Sequence, residues 1–168
     1  MGLMTDEKGK TPGESAVETR YLLMPHQANP QGTAFGGTIM GWIDMVAAMA
    51  AERHCGMEVV TAGIDSLVFR KPIYVGDHVV LRAAVNYVSR SSMEVGVQVI
   101  REDPYNDRQT LATTAHLTMV ALDENKKPTP ARPLLPETPE EKRRYENAKR
   151  RVQERKERLK SLEADEHL

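Results

Sequence analysis

The chain has 168 residues, of which 40% are apolar, and a net charge of −1 at neutral pH. This length predicts one domain with its own core, because two ordinary domains would need more residues. Only 5% of residues are aromatic and no run approaches the ~18 apolar residues of a membrane span, which disfavours nucleic-acid and membrane roles. A polar N-terminus and a single cysteine, Cys55, predict a cytoplasmic protein with neither a disulfide nor a zinc site.

The first half of the chain predicts a leader, a strand and a long helix. Residues 1–14 are rich in Lys, Glu, Gly and Pro without hydrophobic periodicity, which indicates a flexible leader. Residues 17–23 alternate between apolar and polar side chains, as in a strand with one face turned inward. After a turn-rich loop, residues 38–54 are apolar on nearly every helical face and end before Gly56, so we expect a buried helix.

Four later runs have a period of two and predict strands: Val59–Phe69, His78–Val88, Met93–Arg101 and Thr110–Leu122. The segments between the last three are short and rich in turn formers, which favours antiparallel hairpins. One strand, one apolar helix and a four-strand meander predict an α+β fold whose sheet curls about the helix, since nothing else could bury it. The predicted domain spans residues 15–124.

The end of the chain predicts a proline-rich connector, residues 125–137, and a basic helix over residues 138–168 with Thr138 as its N-cap. Residues 140–160 hold ten Lys/Arg against five Glu, and the two signs alternate along the helix. We therefore expect a largely solvated helix that docks by a narrow apolar stripe. The stripe consists of Tyr145, Ala148, Val152, Leu159 and Leu162.

Asp44 is the most informative single residue, because it lies in the middle of the apolar helix. Burial of a carboxylate is costly unless binding partners or a function compensate for the lost hydration. Its neighbours on the same helical face are mostly small, which leaves room for a ligand. Asp44 is therefore a candidate catalytic carboxylate, and the alternative is a structural aspartate that accepts bonds from nearby backbone donors.

Gly36 and Gly37 come at the predicted start of this helix, where unpaired N–H groups and the positive end of the helix dipole gather. Such donors can hold a carbonyl oxygen and stabilise the negative charge that develops on it during acyl transfer. The glycines therefore predict an oxyanion hole. The alternative is that they open the helix for steric reasons alone.

Other polar positions give weaker indications of chemistry. Ser66 is predicted to share the inward strand face with Val60, opposite to Asp65, and is a candidate water-positioning group or a serine bonded to backbone. The turn Arg90-Ser91-Ser92 offers a cation and two hydroxyls that suit a phosphate, although such turns are often only hydrated. The histidines show no serine or cysteine partner arrangement, so a nucleophilic triad is not indicated.

Several short motifs lie within about residues 16–130: Met24-Pro25, Asn29-x-x-Gly32-x-x-Phe35-Gly36-Gly37-x-x-Met40-x-x-x-Asp44, Val60-Thr61, Phe69-x-Lys71-Pro72-x-x-Val75-Gly76-Asp77, Arg90-Ser91-Ser92 and a closing strand from Thr113 to Asp123. With these motifs the chain resembles the hotdog-fold acyl-CoA thioesterases of the bacterial and cytosolic acyl-CoA hydrolase branch. The resemblance implies a hotdog fold, an antiparallel sheet wrapped around a long helix. It also implies a homo-oligomer, a dimer or a trimer of dimers, with the site between two subunits.

The resemblance implies hydrolysis of acyl-CoA to free fatty acid and coenzyme A, with no metal or other cofactor. Asp44 takes the position of the catalytic carboxylate, as general base or as nucleophile, and Gly36 and Gly37 supply the N–H groups. Thr33 stands where some members carry Asn or Asp as a second catalytic group, and it departs from that version. The residues implied in binding substrate and coenzyme A are Asn29, Gly32, Phe35, Lys71, Arg90, Ser91 and Ser92.

Two alternatives to hydrolysis follow from the same residues. Hotdog relatives also hydrate and dehydrate acyl thioesters, but those usually pair a histidine with a carboxylate, and no histidine occupies the glycine-rich loop here. A non-catalytic acyl-CoA sensor would use the basic helix to contact a partner protein or nucleic acid. The alternating signs of that helix suit solvent better than a row of phosphates, so nucleic acid is the less expected partner.

Overall fold

The computed structural model of the chain describes residues 8–65 and 67–165. Within them, the elements are helix α1 (Pro12–Ser15), strand β1 (Val17–Leu22), a 3-10 turn (Pro25–Gln27), helix α2 (Gly36–Cys55), strands β2 (Glu58–Ile64), β3 (His78–Val88), β4 (Ser92–Asp103) and β5 (Arg108–Leu122), and helix α3 (Pro139–Asp165). The strands form one antiparallel sheet in the order β1-β3-β4-β5-β2. The predicted antiparallel hairpins β3-β4 and β4-β5 are confirmed.

Helix α2 packs against all five strands, so the sheet curls around it. Its inward face buries Ile39, Ile43 and Val46 completely or nearly so, which removes large side chains from water and drives the packing. The helix ends at Gly56, whose φ of 69° suits glycine and whose N–H bonds to Glu52 O at 2.7 Å. The α+β fold and the hotdog arrangement predicted from the sequence are confirmed.

The position of β2 differs from the prediction. β2 ends at Ile64 and pairs with β5 at the far edge of the sheet, so the predicted four-strand meander is wrong. The predicted inward face is wrong as well, because Val59 packs on the core while Val60 is exposed. A period of two defines two faces of a strand but does not say which is covered, and a register shift between Thr61 and Gly63 interrupts the alternation.

The leader and the proline-rich connector meet at the C-terminal end of α2, where Lys10 Nζ donates to Arg53 O and His54 Nε2 lies 2.9 Å from Arg132 O. Within the predicted flexible leader, Lys10 donates its N–H to Pro133 O at 3.1 Å and accepts a bond from Leu135 N at 2.8 Å. These bonds join the leader to the connector, and Pro12, two residues further on, is buried. Residues 1–7 of the leader lie outside the described residues.

Helix α3 begins with the predicted cap, since Glu141 N donates to Thr138 Oγ1 at 3.1 Å and Thr138 N donates to Glu141 Oε2 at 3.0 Å. Ala148 and Val152 are buried, whereas Leu159 and Leu162 are half exposed, so only the first part of the predicted stripe docks. Within residues 8–65 and 67–165, no helix is long and apolar enough to cross a membrane.

Candidate active site

One face of α2 is left uncovered by the chain's own sheet. Met40, Met45 and Met49 are 43%, 51% and 39% exposed, and Asp44 lies among them, partly exposed. Within a single chain the prediction that the helix is buried on every side is therefore wrong, because the sheet covers only the opposite face. Contiguous apolar side chains in water mark a surface that another molecule covers.

The carboxylate of Asp44 is held by a threonine on β2. Thr61 Oγ1 donates a hydrogen bond to Asp44 Oδ1 at 2.6 Å and lies 3.4 Å from Met119 Sδ. The charged oxygen is the stronger acceptor for the single hydroxyl proton. Thr61 thus fixes one carboxylate oxygen, while Oδ2 has no hydrogen-bond partner among the described residues. Thr61 was not predicted as a site residue, although it belongs to the Val60-Thr61 motif.

The start of α2 presents free backbone donors. Thr38 N donates to Phe35 O at 3.0 Å, while Gly36 and Gly37 N–H have no acceptor among the described residues. A Cβ at Gly37 would lie 2.6 Å from the Phe35 ring, so the aromatic side chain sits where any other residue would overlap it. The glycine at 37 therefore has a packing reason, and this does not conflict with the donor role of the N–H groups.

A cavity of about 370 Å³ opens beside this helix terminus. Arg70 and Lys71 stand on its rim, both exposed, and their side chains have no acidic partner among the described residues. Two free cations next to a positive helix end favour an anionic ligand. Arg70 was not among the predicted binding residues, although it directly precedes Lys71, which was. The lining residues are Thr33, Ala34, Gly36, Ile39, Phe69, Arg70, Lys71, Pro72 and Ile73.

The loop before α2 is organised by Asn29. Its Oδ1 accepts bonds from Gln31 N and Thr33 N, both at 3.1 Å, and its Nδ2 donates to Thr33 Oγ1 at 2.8 Å. Gly32 closes the turn with a φ of 76°, a conformation that favours glycine. Thr33 lines the cavity at the helix terminus, but its hydroxyl is engaged by Asn29.

The single chain does not bring all predicted site residues together. Thr33, Gly36 and Lys71 line the cavity at the helix terminus, while Asp44 lies about 10 Å further along α2, from a rise of 1.5 Å per residue. The turn from Arg90 to Ser92 lies beside the connector instead, where Arg90 O accepts a bond from Ala131 N at 2.8 Å. Ser66 lies outside the described residues.

Known proteins resemble this chain over most of its length. The sequence profile of the thioesterase superfamily matches residues 31–107. An uncharacterized acyl-CoA thioester hydrolase of Bacillus subtilis is 44% identical over 151 residues, which are 90% of this chain and 88% of that protein. An acyl-CoA hydrolase of Staphylococcus aureus, solved in complex with butyryl coenzyme A, coenzyme A and coenzyme A disulfide, is 41% identical with a TM-score of 0.89. That match covers 96% of this chain and 99% of the other.

Further solved structures add detail on these relatives. Variants of the Staphylococcus aureus enzyme, in which an aspartate, an asparagine or a threonine is replaced by alanine, superpose with TM-scores of 0.88, 0.90 and 0.89 at 39%, 40% and 40% identity. They cover 96%, 97% and 96% of this chain and 100%, 98% and 100% of their own. An acyl-CoA thioesterase solved as a hexamer without ligand is 40% identical with a TM-score of 0.86, covering 90% of this chain and 98% of its own.

Proposed function

This chain belongs to the thioesterase superfamily, within its family of acyl-CoA hydrolases, and we propose that it hydrolyses acyl-CoA thioesters to a free fatty acid and coenzyme A. The observation that carries the proposal is a carboxylate, Asp44, that a 2.6 Å bond from Thr61 orients on an exposed apolar helix face. An acyl chain and a reacting thioester both suit such a face, since it combines apolar surface with one charged group.

The chemistry begins at the thioester carbonyl. The N–H groups of Gly36 and Gly37 bind the carbonyl oxygen and stabilise its negative charge as the tetrahedral intermediate forms. Asp44 takes a proton from water, whose oxygen attacks the carbonyl carbon, and collapse of the intermediate breaks the carbon–sulfur bond. The thiolate leaves readily, because a thiol has a pKa near ~8.5, and it recovers the proton that Asp44 took.

A second route uses the same residues. The Asp44 carboxylate attacks the carbonyl carbon directly and expels the thiolate, and water then cleaves the resulting anhydride. Both routes yield the same products and need no metal or other cofactor. In both, Thr61 orients the carboxylate by its bond to Oδ1, which leaves Oδ2 for the reacting atoms.

The active unit contains two copies of the chain. The first-turn N–H bonds of α2 point out of its N-terminal end, away from Asp44, which lies about 10 Å behind them on the same helix. One carbonyl group therefore meets Asp44 of one copy and the glycine donors of another. The exposed methionines supply the contact surface between the two copies. A hexameric relative supports assembly of this chain as a homo-oligomer, either a dimer or a trimer of dimers.

The anionic part of coenzyme A binds at the cavity beside the helix terminus. Arg70 and Lys71 pair with its phosphates, and Asn29 shapes the loop that carries Thr33 toward the thioester. The turn from Arg90 to Ser92 does not line this cavity within one chain. We therefore assign it to binding the phosphates of a substrate molecule whose main binding site is on another copy of the chain. Ser66 remains a candidate water-positioning group, and Phe35, whose exposed ring lies against Gly37, remains a candidate contact for the substrate.

A direct assay tests the proposal. Purified protein is given acyl-CoA substrates from acetyl to palmitoyl, and free thiol is measured with time. We expect saturable thiol release, and a loss of at least about a hundredfold in kcat for Asp44→Asn with unchanged assembly, from the size of acid–base contributions. Substrate binding without thiol release would instead mark an acyl-CoA sensor. Loss of enoyl absorbance without thiol release would mark a hydratase.

The cellular location belongs to this proposal as well. The coenzyme A part of the substrate is a water-soluble anion, so we propose that the protein acts in the cytoplasm. A fluorescent fusion that colocalises with a membrane marker would contradict this assignment.

A further inference from the structure

A second cavity lies on the outer face of the sheet, under helix α3. It has a volume of about 550 Å³, within the size range of small-molecule sites. Its floor is Ala84 on β3 and Gly96 on β4, which pair directly. Their sequence neighbours Ala83 and Val97 are buried in the core on the α2 side, so the floor residues face outward. None of its lining residues lines the cavity at the start of α2.

The inner part of this outer cavity holds polar groups without protein partners. Asn86 is only 8% exposed, and its amide lies so close to Gly96 that any side chain there would overlap it. Among the described residues, neither the Asn86 amide nor the His116 imidazole has a hydrogen-bond partner, and both line the cavity. Asn86 is buried and His116 is half-buried, and polar groups withdrawn from water are normally hydrogen-bonded, so these two are available to a bound molecule.

The mouth of the outer cavity carries two arginines. Arg82 Nε donates to Glu18 at 2.7 Å, and Arg144 Nη2 donates to Glu140 at 2.6 Å. Both glutamates are exposed, at 40% and 59%, and exposed ion pairs are weak. Each arginine also keeps N–H groups that these contacts leave unused. Glu18 also lines the cavity, so an anion that binds both guanidinium groups takes the place of its exposed carboxylate at Arg82.

The roof of the outer cavity is anchored by a buried ion pair. Arg151 on α3 donates from Nη2 and Nε to Glu94 at 2.6 and 3.2 Å, and Glu94 is almost completely buried on β4. This two-point contact ties the helix to the sheet at the cavity itself. The cavity therefore has a defined shape before any molecule enters, which lowers the entropic cost of binding.

We propose that the outer cavity binds a small organic molecule that carries at least two anionic groups, either carboxylates or phosphates. Arg82 and Arg144 bind the anionic groups at the mouth, and Asn86 and His116 form hydrogen bonds with the inner part of the molecule. The site is separate from the thioesterase site, and the proposal does not depend on the reaction proposed for it.

Calorimetric titration of the full-length protein with citrate and with pyrophosphate, at matched ionic strength, tests the proposal and separates carboxylate from phosphate. We expect saturable binding of at least one probe, and a loss of about tenfold or more for Arg144→Gln, the factor of one charge-assisted hydrogen bond. Arg143→Gln is the matched control, because Arg143 also contacts Glu140 but does not line the cavity. It should bind like the unmodified protein.

A second variant, Ala84→Leu, fills the floor of the outer cavity without changing charge. It should abolish probe binding while thiol release from acyl-CoA stays unchanged, since Ala84 lies on the face opposite to α2. The proposal is overturned if neither probe binds, or if Arg143→Gln and Arg144→Gln weaken binding equally. The second result would show that the probes respond only to the overall charge of α3.

Discussion

Two inactive variants are expected to restore activity when their subunits mix. The first, Asp44→Asn, removes the carboxylate. The second, Gly36→Pro, removes one N–H donor, and Phe35 before it has a φ of −63° and a ψ of 127°, which a residue before proline readily adopts. Proline is tolerated at the first helical position, and a Cβ at Gly36 would be no nearer than 3.6 Å to the Phe69 ring. Gly36→Pro should therefore fold while losing about a hundredfold in kcat.

The size of the restored activity follows from the geometry of α2. Since about 10 Å of helix separates Asp44 from the glycine donors, each site takes its carboxylate from one copy and its donors from the other. A mixed dimer then has one site with both defects and one intact site. With random pairing, half of the dimers are mixed, so the mixture should recover about a quarter of normal activity.

The assay is thiol release from the co-expressed variants, compared with each variant purified alone. Co-expression of Asp44→Asn with Thr61→Val is the control, because Thr61 bonds to Asp44 within one chain and both defects lie in the same half of the site. That pair should show no recovery. If Asp44→Asn and Gly36→Pro also fail to complement while size-exclusion chromatography shows mixed oligomers, each site lies within one chain and the two-copy reasoning is refuted.

Further variants test individual contacts. Thr61→Val should lower kcat roughly tenfold through loss of a bond to a charged group, whereas Thr118→Val, whose buried hydroxyl has no partner among the described residues, should leave kcat unchanged. Burial lowers the pKa of His54 in the folded protein, although its bond to Arg132 O opposes the shift. As the pH falls, this histidine is therefore protonated in the unfolded chain near pH ~6.5, before it is protonated in the folded protein. The melting temperature should therefore fall as pH drops below that value. His54→Gln should flatten this slope, and the same change at the exposed His26 should preserve it; equal slopes in all three proteins would contradict the assignment.

Local sequence signals predicted most of the elements and named candidates for the site. Helix α2 was predicted within two residues at its start, because its apolar residues contain no proline, and no glycine after Gly41, until Gly56. Asp44 was singled out because a carboxylate in an apolar helix is costly to bury, but in the single chain it is partly exposed, and its catalytic role stays a prediction. The contact of Thr61 with Asp44 was not predicted, since a lone threonine in a strand has many structural explanations and the two residues lie 17 positions apart.

By itself the sequence determined which segments are helix or strand, because hydrophobic period and turn residues act over short stretches of chain. Only the tertiary structure decided that β2 lies beside β5, that Val59 rather than Val60 faces the core, and that α2 keeps one face with Asp44 open. Those outcomes depend on which distant surfaces meet. The pairing of strands that are far apart in sequence is set by the packing of the whole sheet on α2. It therefore cannot be predicted from the residues next to each strand in the sequence.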